Sequence, residues 1–458
     1  MDTTREPRPD EAPPATASWG VMIAYHPDPA QVGTRLAVEV DAPLAIGRAP
    51  GLFDDRTMSR NHARISVGAR GLEIEDVGSR NGTFVNGEPV QRQTLRVGDL
   101  IGAGELLLLA LADADPKRSA TAVLQAAIER VAPLATPVLF TGETGVGKGH
   151  FARVLHRASG RGELVPVACG AVASDHIAEE LFGLDAAAHP PGRPGLLERA
   201  DGGTLLLDDA DDAPAQFQSA LLAFLEDGRV RRMGGVELVP VDVRVVATAR
   251  TPEGLREEFL SRLSRFVLRV PPLRERLEDI PVLIRDLLSP LGVWTKRALV
   301  AALLRHEYRH NVRELAGLIE RAVIDAGADK LVGLSRGVAE RMGLADVGSP
   351  GALAIASDGS WFRPPGAPRV NLGRRENLAR LLRALVAAHR DQPGQALTTE
   401  ALFAAGWPGE RIQGPAASGR VYVGLTTLRN LGLRHFLRRS QGGYLLDSAA
   451  KIESIGPS

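Results

Sequence analysis

Short runs of alternating apolar and polar residues fill the chain between about residues 19 and 112, and turn residues, many of them glycine, separate the runs. The runs with the clearest strand pattern are 36–40, 62–67, 72–75 and 106–111. Strands of this length and spacing predict an all-β sandwich. The preceding residues 1–18 are polar and proline-rich, so we expect a disordered tail there.

The pattern changes at about residue 115. Apolar runs then alternate with stretches of helical period, and they occur at 138–141, 204–207 and 243–247. This alternation predicts a parallel α/β sheet with helices around it. A helical portion over about 272–342 follows the last run, so the sequence predicts one α/β domain with a helical lid over 115–343.

A third part begins after residues 345–368, whose glycine, alanine, serine and proline content predicts a linker, although 357–363 has the pattern of a strand. Over 369–449 we expect three helices and a terminal β-ribbon. The first helix has one apolar face, which consists of Leu378, Leu381, Leu382, Leu385 and Val386. A third helix over about 416–431 stops at Gly432, and a strand, turn and strand follow it.

Composition limits the function classes. The chain has 55 basic and 55 acidic residues in 458, so it is not a polybasic nucleic-acid coat, and any DNA-binding charge must be local. The single cysteine, Cys169, excludes a disulfide framework and cysteine-based zinc sites. No apolar stretch approaches the roughly 18 residues of a membrane span. We therefore expect a soluble, cytoplasmic protein without a membrane partner.

Phosphate-binding chemistry is concentrated on predicted loops of the β sandwich. A phosphate has three acceptor oxygens and about two negative charges, so its site needs guanidinium, hydroxyl and amide donors. Suitable donors occur at Arg48, Ser59, Arg60 and Asn81. The alternative is that these are ordinary turn residues of a sandwich.

The order and spacing of the segments at 47–48, 59–62 and 79–83 resemble the forkhead-associated (FHA) domain, a phosphothreonine-binding module. The resemblance implies that Arg48 and Ser59 hold the phosphate. It also implies that Arg60 adds charge and that Asn81 holds the ligand backbone. His62 resembles the family's structural histidine, which braces the loops. A phosphothreonine-containing protein or peptide is therefore the expected partner.

A glycine-rich loop follows the first apolar run of the α/β domain and opens a helix. It consists of Gly142, Glu143, Thr144, Gly145, Val146, Gly147 and Lys148, and Gly149 follows it. Such a loop lets backbone N–H groups surround phosphates while the lysine reaches the terminal ones. A second apolar strand ends in Asp208, placed for Mg²⁺, and Asp209, placed to polarise a water. The two features together predict ATP and Mg²⁺ as cofactors; a chance turn and acidic strand end are the alternative.

The α/β domain resembles one AAA+ family, the ATPase module of sigma-54-dependent bacterial enhancer-binding proteins. The matching motifs are at 142–148, 180–183, 200–204, 231–235, 271–276 and 311–315. The resemblance implies that Arg256 and Arg262 are arginine fingers for a neighbouring subunit's nucleotide and that Arg313 is a second sensor. It therefore implies a ring-type homo-oligomer, with RNA polymerase as a candidate partner. The alternative for Arg256 and Arg262 is solvated helix charge.

The chain departs from this family's pattern at several positions. The loop motif GAFTGA, which contacts sigma-54 in the family, is absent from 184–192. The catalytic glutamate is the shorter Asp209, and two functional asparagines align with Ala168 and near Ala249. The general motif's Ser/Thr is Gly149, although the family itself has a glutamate there. A carboxylate displaced by about an ångström can cost on the order of a hundredfold in rate. We therefore expect ATP binding, slow or absent hydrolysis, and no remodelling of sigma-54 polymerase.

Basic residues are locally concentrated in the third part of the chain. Six arginines and one acidic residue lie between 410 and 439. The predicted DNA contacts on the third helix and the ribbon are Arg420, Thr426, Arg429, Asn430, Arg438 and Arg439. The pattern resembles a winged helix of the response-regulator effector type, which implies DNA as a partner. Winged helices also bind proteins, so that alternative stays open.

Taken together, these features predict a bacterial transcription regulator. We expect its phosphothreonine sensor to control nucleotide-dependent assembly of an AAA+ core that carries winged helices. Two alternatives are an active sigma-54-dependent activator ATPase and a phospho-dependent signalling scaffold with a structural nucleotide.

Overall fold

The computed structural model describes most of the chain. The described residues are 18–48, 55, 57–69, 71–171, 176–344, 352–364, 369–372, 375–410, 415–433, 436–440, 442–447 and 452–455. The predicted tail lies outside them, apart from Ser18. Over these ranges, no helix is both long enough and apolar enough to cross a membrane.

The first unit is a β sandwich, which confirms the prediction for this part of the chain. Its strands are β1 (Gly20–Tyr25), β2 (Arg35–Ala37), β3 (Leu44–Ile46), β4 (Ala63–Gly68), β5 (Gly71–Asp76), β6 (Thr83–Val85), β7 (Glu88–Val90), β8 (Arg92–Thr94), β9 (Leu100–Ala103) and β10 (Leu106–Leu111). One sheet has the order β2-β1-β10-β9-β6-β7 and the other β3-β4-β5-β8. Apolar side chains such as Ile23, Ile65 and Leu108 fill the space between them.

The second unit contains the predicted parallel sheet. Its strands are β11 (Val138–Thr141), β12 (Leu164–Ala168), β13 (Gly183–Leu184), β14 (Arg193–Pro194), β15 (Thr204–Asp208), β16 (Arg229–Val230), β17 (Val239–Pro240), β18 (Arg244–Ala249) and β19 (Phe266–Arg269). Its helices are α1 (Ala120–Val131), α2 (Lys148–Ser159), α3 (Ile177–Phe182), α4 (Leu196–Arg199), α5 (Ala215–Asp227) and α6 (Glu257–Leu263). The main sheet has the order β12-β15-β18-β11-β19. Parallel strands end at one edge, so the loops after β11, β15 and β18 lie together.

A helical lid follows the sheet, as predicted. It consists of α7 (Asp279–Leu288), α8 (Arg297–Arg305), α9 (Asn311–Ala326) and α10 (Arg336–Arg341), with the short strands β20 (Trp294–Thr295) and β21 (Leu331–Val332). The helices bury leucine and isoleucine at helical spacing, including Ile280, Ile284 and Leu303.

The lid and the β sandwich share one hydrophobic core. Alternate residues of β1 and β10 point away from the sandwich interior, and Met22, Leu107 and Leu109 pack in a single cluster with lid residues such as Ile284 and Leu303. Both faces of β1 and β10 are therefore buried. The run at 106–111 is apolar throughout rather than alternating, because its outer face is covered by the lid.

Polar contacts border this shared core. The guanidinium of Arg285 donates to the carbonyl oxygen of Val32 at 3.0 Å, and Arg35 pairs with Glu278 at 3.9 Å. Gly33 lies so close to the lid that a Cβ there would be 3.0 Å from Cγ2 of Val282. The lid therefore contacts the backbone of the sandwich closely as well as its side chains.

The third unit combines two small sheets with three helices. Its elements are β22 (Leu353–Ala356), β23 (Trp361–Arg363), β24 (Val370–Asn371), α11 (Glu376–Asp391), α12 (Thr399–Gly406), α13 (Pro415–Leu428), β25 (Leu437–Ser440), β26 (Gly443–Leu446) and β27 (Ile452–Ile455). The larger sheet has the order β24-β23-β22-β27, and β22 pairs with β27 in parallel. The strands β25 and β26 form the expected ribbon.

The prediction of a linker over 345–368 is wrong for its described residues. Two strands lie there, and Leu353, Ile355 and Phe362 are fully buried against the helices. The third unit therefore begins near Ala352 and includes β27, beyond the predicted limits of 369 and 449. Small residues dominate the composition of this segment, but its few large apolar residues determine the fold.

Candidate functional sites

The glycine-rich loop curls tightly between β11 and α2. Gly142, Gly145 and Gly147 all have positive φ, at 146°, 78° and 100°. A Cβ at Gly145 would overlap the carbonyl oxygen of His310 in the lid. Only glycine fits this combination of backbone conformation and close approach. The loop is thereby held at the amino end of α2, where backbone N–H groups favour an anion.

Lys148 lies inside this loop. Its ammonium donates to the carbonyl oxygens of Gly142 at 2.9 Å and Glu143 at 3.2 Å, and the residue is only 7% exposed. Burial lowers the pKa of Lys148, although Asp209, Asp211 and Asp208 oppose that effect. The two hydrogen bonds to carbonyl oxygens therefore hold the Lys148 amino group inside the loop, where a phosphate would reach it.

The lid holds the same loop from outside. Glu143 accepts two hydrogen bonds from the guanidinium of Arg274, at 2.6 and 2.9 Å, which lower the pKa of Glu143. The side-chain amide of Asn311 donates to Glu143 and to the carbonyl oxygen of Thr144, both at 3.1 Å. Arg313 is exposed beside Gly145. The roles of Arg274 and Asn311 were not predicted from sequence, because each residue reaches the loop only through the fold.

Two aspartates lie at the end of β15, at the same edge of the sheet: Asp208 is its last residue and Asp209 follows it. The hydroxyl of Thr248 donates to Oδ1 of Asp208 at 2.8 Å and accepts from the backbone N–H of Asp209 at 2.9 Å. Asp209 has φ 51°, which turns the chain sharply there. Burial, then the neighbouring Asp208, raises the pKa of Asp209. Thr248, which the sequence analysis did not single out, therefore fixes the orientation of both acidic residues.

The residues present fit the phosphates of a nucleotide and one divalent cation. The loop and Lys148 supply donors, and Asp208 supplies a carboxylate. A Cβ at Gly149 would be 3.2 Å from Nη1 of Arg153 and 3.7 Å from Oδ1 of Asp208, so the position after the lysine lies near both groups. Glycine at 149 leaves no side-chain ligand there.

Ala168 and Ala249, the two positions that the family resemblance aligns with functional asparagines, are also at this edge. Ala168 is the register partner of Asp208 across β12 and β15, and Ala249 ends β18. Cys169 follows Ala168 and is fully buried, and burial with the Asp208 charge raises the pKa of its thiol to about 12. Neither alanine offers a polar side chain beside the aspartates, and the thiol stays protonated at neutral pH.

The two proposed arginine fingers lie against α5 in the same chain. Arg256 precedes α6 and contacts the hydroxyl of Ser219 at 2.5 Å, and Arg262 pairs with Glu226 at 3.0 Å. The side chain of Arg262 is about half exposed. Their role toward a neighbouring subunit stays a prediction.

The predicted phosphopeptide residues come together at one end of the sandwich. The backbone N–H of Arg48 donates to the carbonyl oxygen of Ser59 at 2.9 Å, and Oγ of Ser59 accepts from the backbone N–H of Arg80 at 3.0 Å. The amide of Asn81 donates to the carbonyl oxygen of Thr57 at 2.6 Å. Arg48, Arg60 and Asn81 are exposed. Three loops therefore present their donors on a common surface.

His62 braces these loops from inside. It is fully buried; its Nδ1 accepts from the backbone N–H of Ser59 at 3.3 Å, and its Nε2 bonds to the carbonyl oxygen of Gly82 at 3.1 Å. Asp76 holds the adjacent turn through Ser79 and Thr83. Burial opposes ionisation of Asp76, but those hydrogen bonds outweigh it and lower its pKa. Both residues are structural supports of the site.

The predicted DNA contacts are only partly available in the third unit. Arg420 pairs with Glu410, Arg438 pairs with Asp447, and Arg429 donates to the carbonyl oxygen of Leu437 at 3.2 Å. Arg439 is exposed on the ribbon, and Thr426 is partly buried on α13. The side chain of Asn430 lies outside the described residues. The bond from Arg429 connects the third helix to the ribbon.

Three families match successive parts of the chain. The FHA domain matches residues 44–104, the Sigma-54 interaction domain matches 116–268, and the AAA+ ATPase lid domain matches 274–335. The matches confirm the FHA and AAA+ predictions.

Similar curated proteins are bacterial regulators. The transcriptional regulatory protein XylR of Pseudomonas putida is 36% identical over 262 residues, which cover 52% of this chain and 46% of XylR. The regulator NtrC of Escherichia coli is 39% identical over 45% of this chain and 48% of NtrC. The Psp operon transcriptional activator of Escherichia coli is 38% identical over 44% of this chain and 68% of that protein.

The chain therefore spans about half the length of XylR and of NtrC and about two thirds of the Psp operon activator. Among solved structures, NtrX from Brucella abortus in complex with ADP is 33% identical. That match covers 46% of this chain and 52% of the NtrX chain, with a TM-score of 0.42.

Proposed function

The chain belongs to the family of bacterial enhancer-binding proteins that carry a sigma-54 interaction domain, and we propose that it is a transcription regulator gated by phosphothreonine. In this proposal the FHA domain binds a phosphothreonine-containing ligand. That binding controls ATP-dependent assembly of the AAA+ core, which carries a DNA-binding third unit. A ligand that favours one assembly state shifts the population toward it.

Nucleotide binding rests on the glycine-rich loop and the acidic edge. The loop and Lys148 hold the phosphates, Asp208 holds Mg²⁺, and Arg313 lies beside the loop as a sensor. When bound, ATP with Mg²⁺ supplies a phosphoryl group that water can accept. Asp209 orients that water with a side chain one methylene shorter than glutamate. Because Ala168 and Ala249 add no polar group, we propose slow or absent hydrolysis.

The loop at 184–192 supports regulation without remodelling of sigma-54 polymerase. β13 and β14 bracket it, and its own backbone closes it, since His189 donates to Asp185 at 2.8 Å and Gly192 donates to His189 at 2.6 Å. It lacks the phenylalanine and threonine of the family's GAFTGA loop. An active sigma-54-dependent ATPase is the alternative, which the family membership favours; transcription from a sigma-54 promoter in a purified system would establish it.

The single observation that carries the gating proposal is the core shared by the FHA domain and the lid. Met22 and Leu109 pack in one cluster with Ile284 and Leu303. The lid in turn contacts the nucleotide loop through Asn311 and Arg274. A phosphopeptide that alters the FHA loops is therefore linked by continuous packing to the nucleotide loop.

Assembly of the full-length protein tests the gating. We expect a phosphothreonine peptide library with an ATP analogue to shift the mass in light scattering to a ring-type oligomer. Arg48→Ala should weaken peptide binding at least tenfold, because a charged hydrogen bond contributes about 1.5–3 kcal/mol, and should abolish the shift. Arg64→Ala is the matched control, since Arg64 is an exposed sandwich arginine paired with Glu75. A mass that does not respond to the peptide would contradict the gating.

DNA binding is the proposed task of the third unit. A helix joined to a basic ribbon suits a groove and its flanking phosphates, and Arg439 is exposed on that ribbon. The ion pairs of Arg420 and Arg438 favour the second candidate function, a signalling scaffold whose third unit binds protein.

The salt dependence of binding to a random-sequence duplex separates these two functions. Each lost phosphate contact reduces the slope of log K against log salt by about 0.9. We expect Arg438→Ala and Arg439→Ala each to produce such a loss. Arg390→Ala should leave the slope unchanged, because Arg390 is an exposed arginine on α11 paired with Asp391. No binding at low salt would favour the scaffold.

A further inference from the structure

Arg250 contacts both the glycine-rich loop and the acidic residues that follow β15. It directly follows β18, the strand between β15 and β11 in the sheet. Its carbonyl oxygen accepts a hydrogen bond from the backbone N–H of Gly142 at 3.3 Å. The backbone of Arg250 is therefore hydrogen-bonded to the first glycine of the loop.

The Arg250 side chain is fixed at one end and available at the other. Nε donates to Oδ2 of Asp211 at 2.7 Å, and the Arg250 backbone N–H donates to the same oxygen at 3.3 Å. The Asp211 side chain is only 5% exposed, whereas that of Arg250 is 49% exposed. Nη2 pairs with Asp212, whose side chain is 46% exposed, and in the described part of the chain Nη1 makes no hydrogen bond.

The charges around Arg250 place it in the same electrostatic environment as Lys148. Asp209, Asp211 and Asp208 raise the pKa of Lys148, and Arg250 lowers it. Oδ1 of Asp211 is buried and makes no hydrogen bond among the described residues. Among the described residues, the buried carboxylate of Asp211 forms one salt bridge, with Arg250, so loss of its bond to Nε would be costly.

We propose that Arg250 is the residue by which this chain distinguishes a nucleoside triphosphate from a diphosphate. Nε stays on Asp211, while the terminal nitrogens exchange exposed Asp212 for the terminal phosphate. A guanidinium suits this exchange because its planar donors match phosphate as well as carboxylate. Asp211 is the positioning residue. The inference rests on the proposed nucleotide site and adds its selectivity.

Dissociation constants for Mg-ATP and Mg-ADP, measured by calorimetry on the full-length protein, test this role. Arg250→Gln is expected to weaken ATP binding by about tenfold, which equals about 1.4 kcal/mol, and to change ADP binding by less than about twofold. Arg250→Lys, which keeps the charge without the planar donors, should retain part of the ATP affinity. Asp211→Asn should reduce the ratio of the two affinities by about threefold, because the guanidinium loses its anchor.

Arg232→Gln is the matched control. Arg232 is a partly exposed arginine whose Nε and Nη2 bind the largely buried Glu198, as those of Arg250 bind acidic residues. The Arg232→Gln variant should therefore bind Mg-ATP and Mg-ADP as tightly as the wild type does. Retained ADP binding shows that a variant is folded. Equal losses of ATP and ADP affinity in Arg250→Gln, or no loss, would overturn the proposed role of Arg250 without contradicting the nucleotide site. A wild-type chain that binds neither nucleotide would overturn the nucleotide site and this role with it.

Discussion

Replacing Lys148 with alanine should reduce nucleotide affinity by at least about a hundredfold, which corresponds to about 2.7 kcal/mol. The ammonium of Lys148 is buried inside the loop, where its attraction to phosphate is much less screened than in water. Its bonds to two carbonyl oxygens already hold it in place, so little side-chain entropy is lost when phosphate arrives. Calorimetry with Mg-ATP and Mg-ADP measures the effect.

Lys330→Ala is the control for this change, because Lys330 is an exposed lysine in the lid. It should bind both nucleotides as the wild type does. Binding of phosphothreonine peptides to Lys148→Ala should also persist, since the hydrogen bonds of Lys148 lie within its own loop, and this binding reports that the chain is folded. Wild-type affinity for ATP in Lys148→Ala would contradict the assigned site.

Replacing Leu109 with aspartate should separate the FHA domain from the lid. Leu109 is 1% exposed on the outer face of β10, and the change buries an unpaired charge. We expect the free energy of unfolding to fall by about 3–5 kcal/mol, and denaturation to show two transitions rather than one. Assembly should lose its response to the phosphopeptide, while the peptide itself still binds. Denaturant unfolding and light scattering measure these effects.

Two further variants make this test specific. Ile284→Asp introduces the same charge from the lid side and should have the same effect, because both residues belong to one cluster. Val97→Asp is the control, since Val97 is an apolar residue of the sandwich that is 58% exposed. An unfolding midpoint in Leu109→Asp equal to that of the wild type would show that the two domains are not coupled by this core.

The residues that could be found from sequence are those whose chemistry is local. Lys148 is preceded by glycines at fixed spacing, and Asp208 ends an apolar strand. By contrast, Thr248, Arg274 and Asn311 act across long sequence separations, and nothing near them in the chain reveals their partners. The role of Arg250 likewise depends on Asp211, which is 39 residues away in the chain.

The missed features of the fold had weak signals in the sequence. The run at 106–111 is apolar at every position, which is typical of a strand covered on both faces, yet its length and spacing by themselves predict only one strand of a sandwich. In the predicted linker, small residues dominate the composition and hide the signal of the three core residues Leu353, Ile355 and Phe362. In both cases the surface that covers these residues comes from a distant part of the chain, so the local sequence does not reveal it.

The parallel pairing of β22 with β27 affects the order in which the third unit forms. Residues 353–356 obtain this neighbour only from residues 452–455, after the helices and the ribbon between them. Closing so long a loop costs entropy, which local contacts within the helices and ribbon must first offset. During synthesis on the ribosome, β22 therefore waits with one side unpaired until β27 emerges. Chains that terminate before residue 452 would keep that strand open to pairing with other molecules.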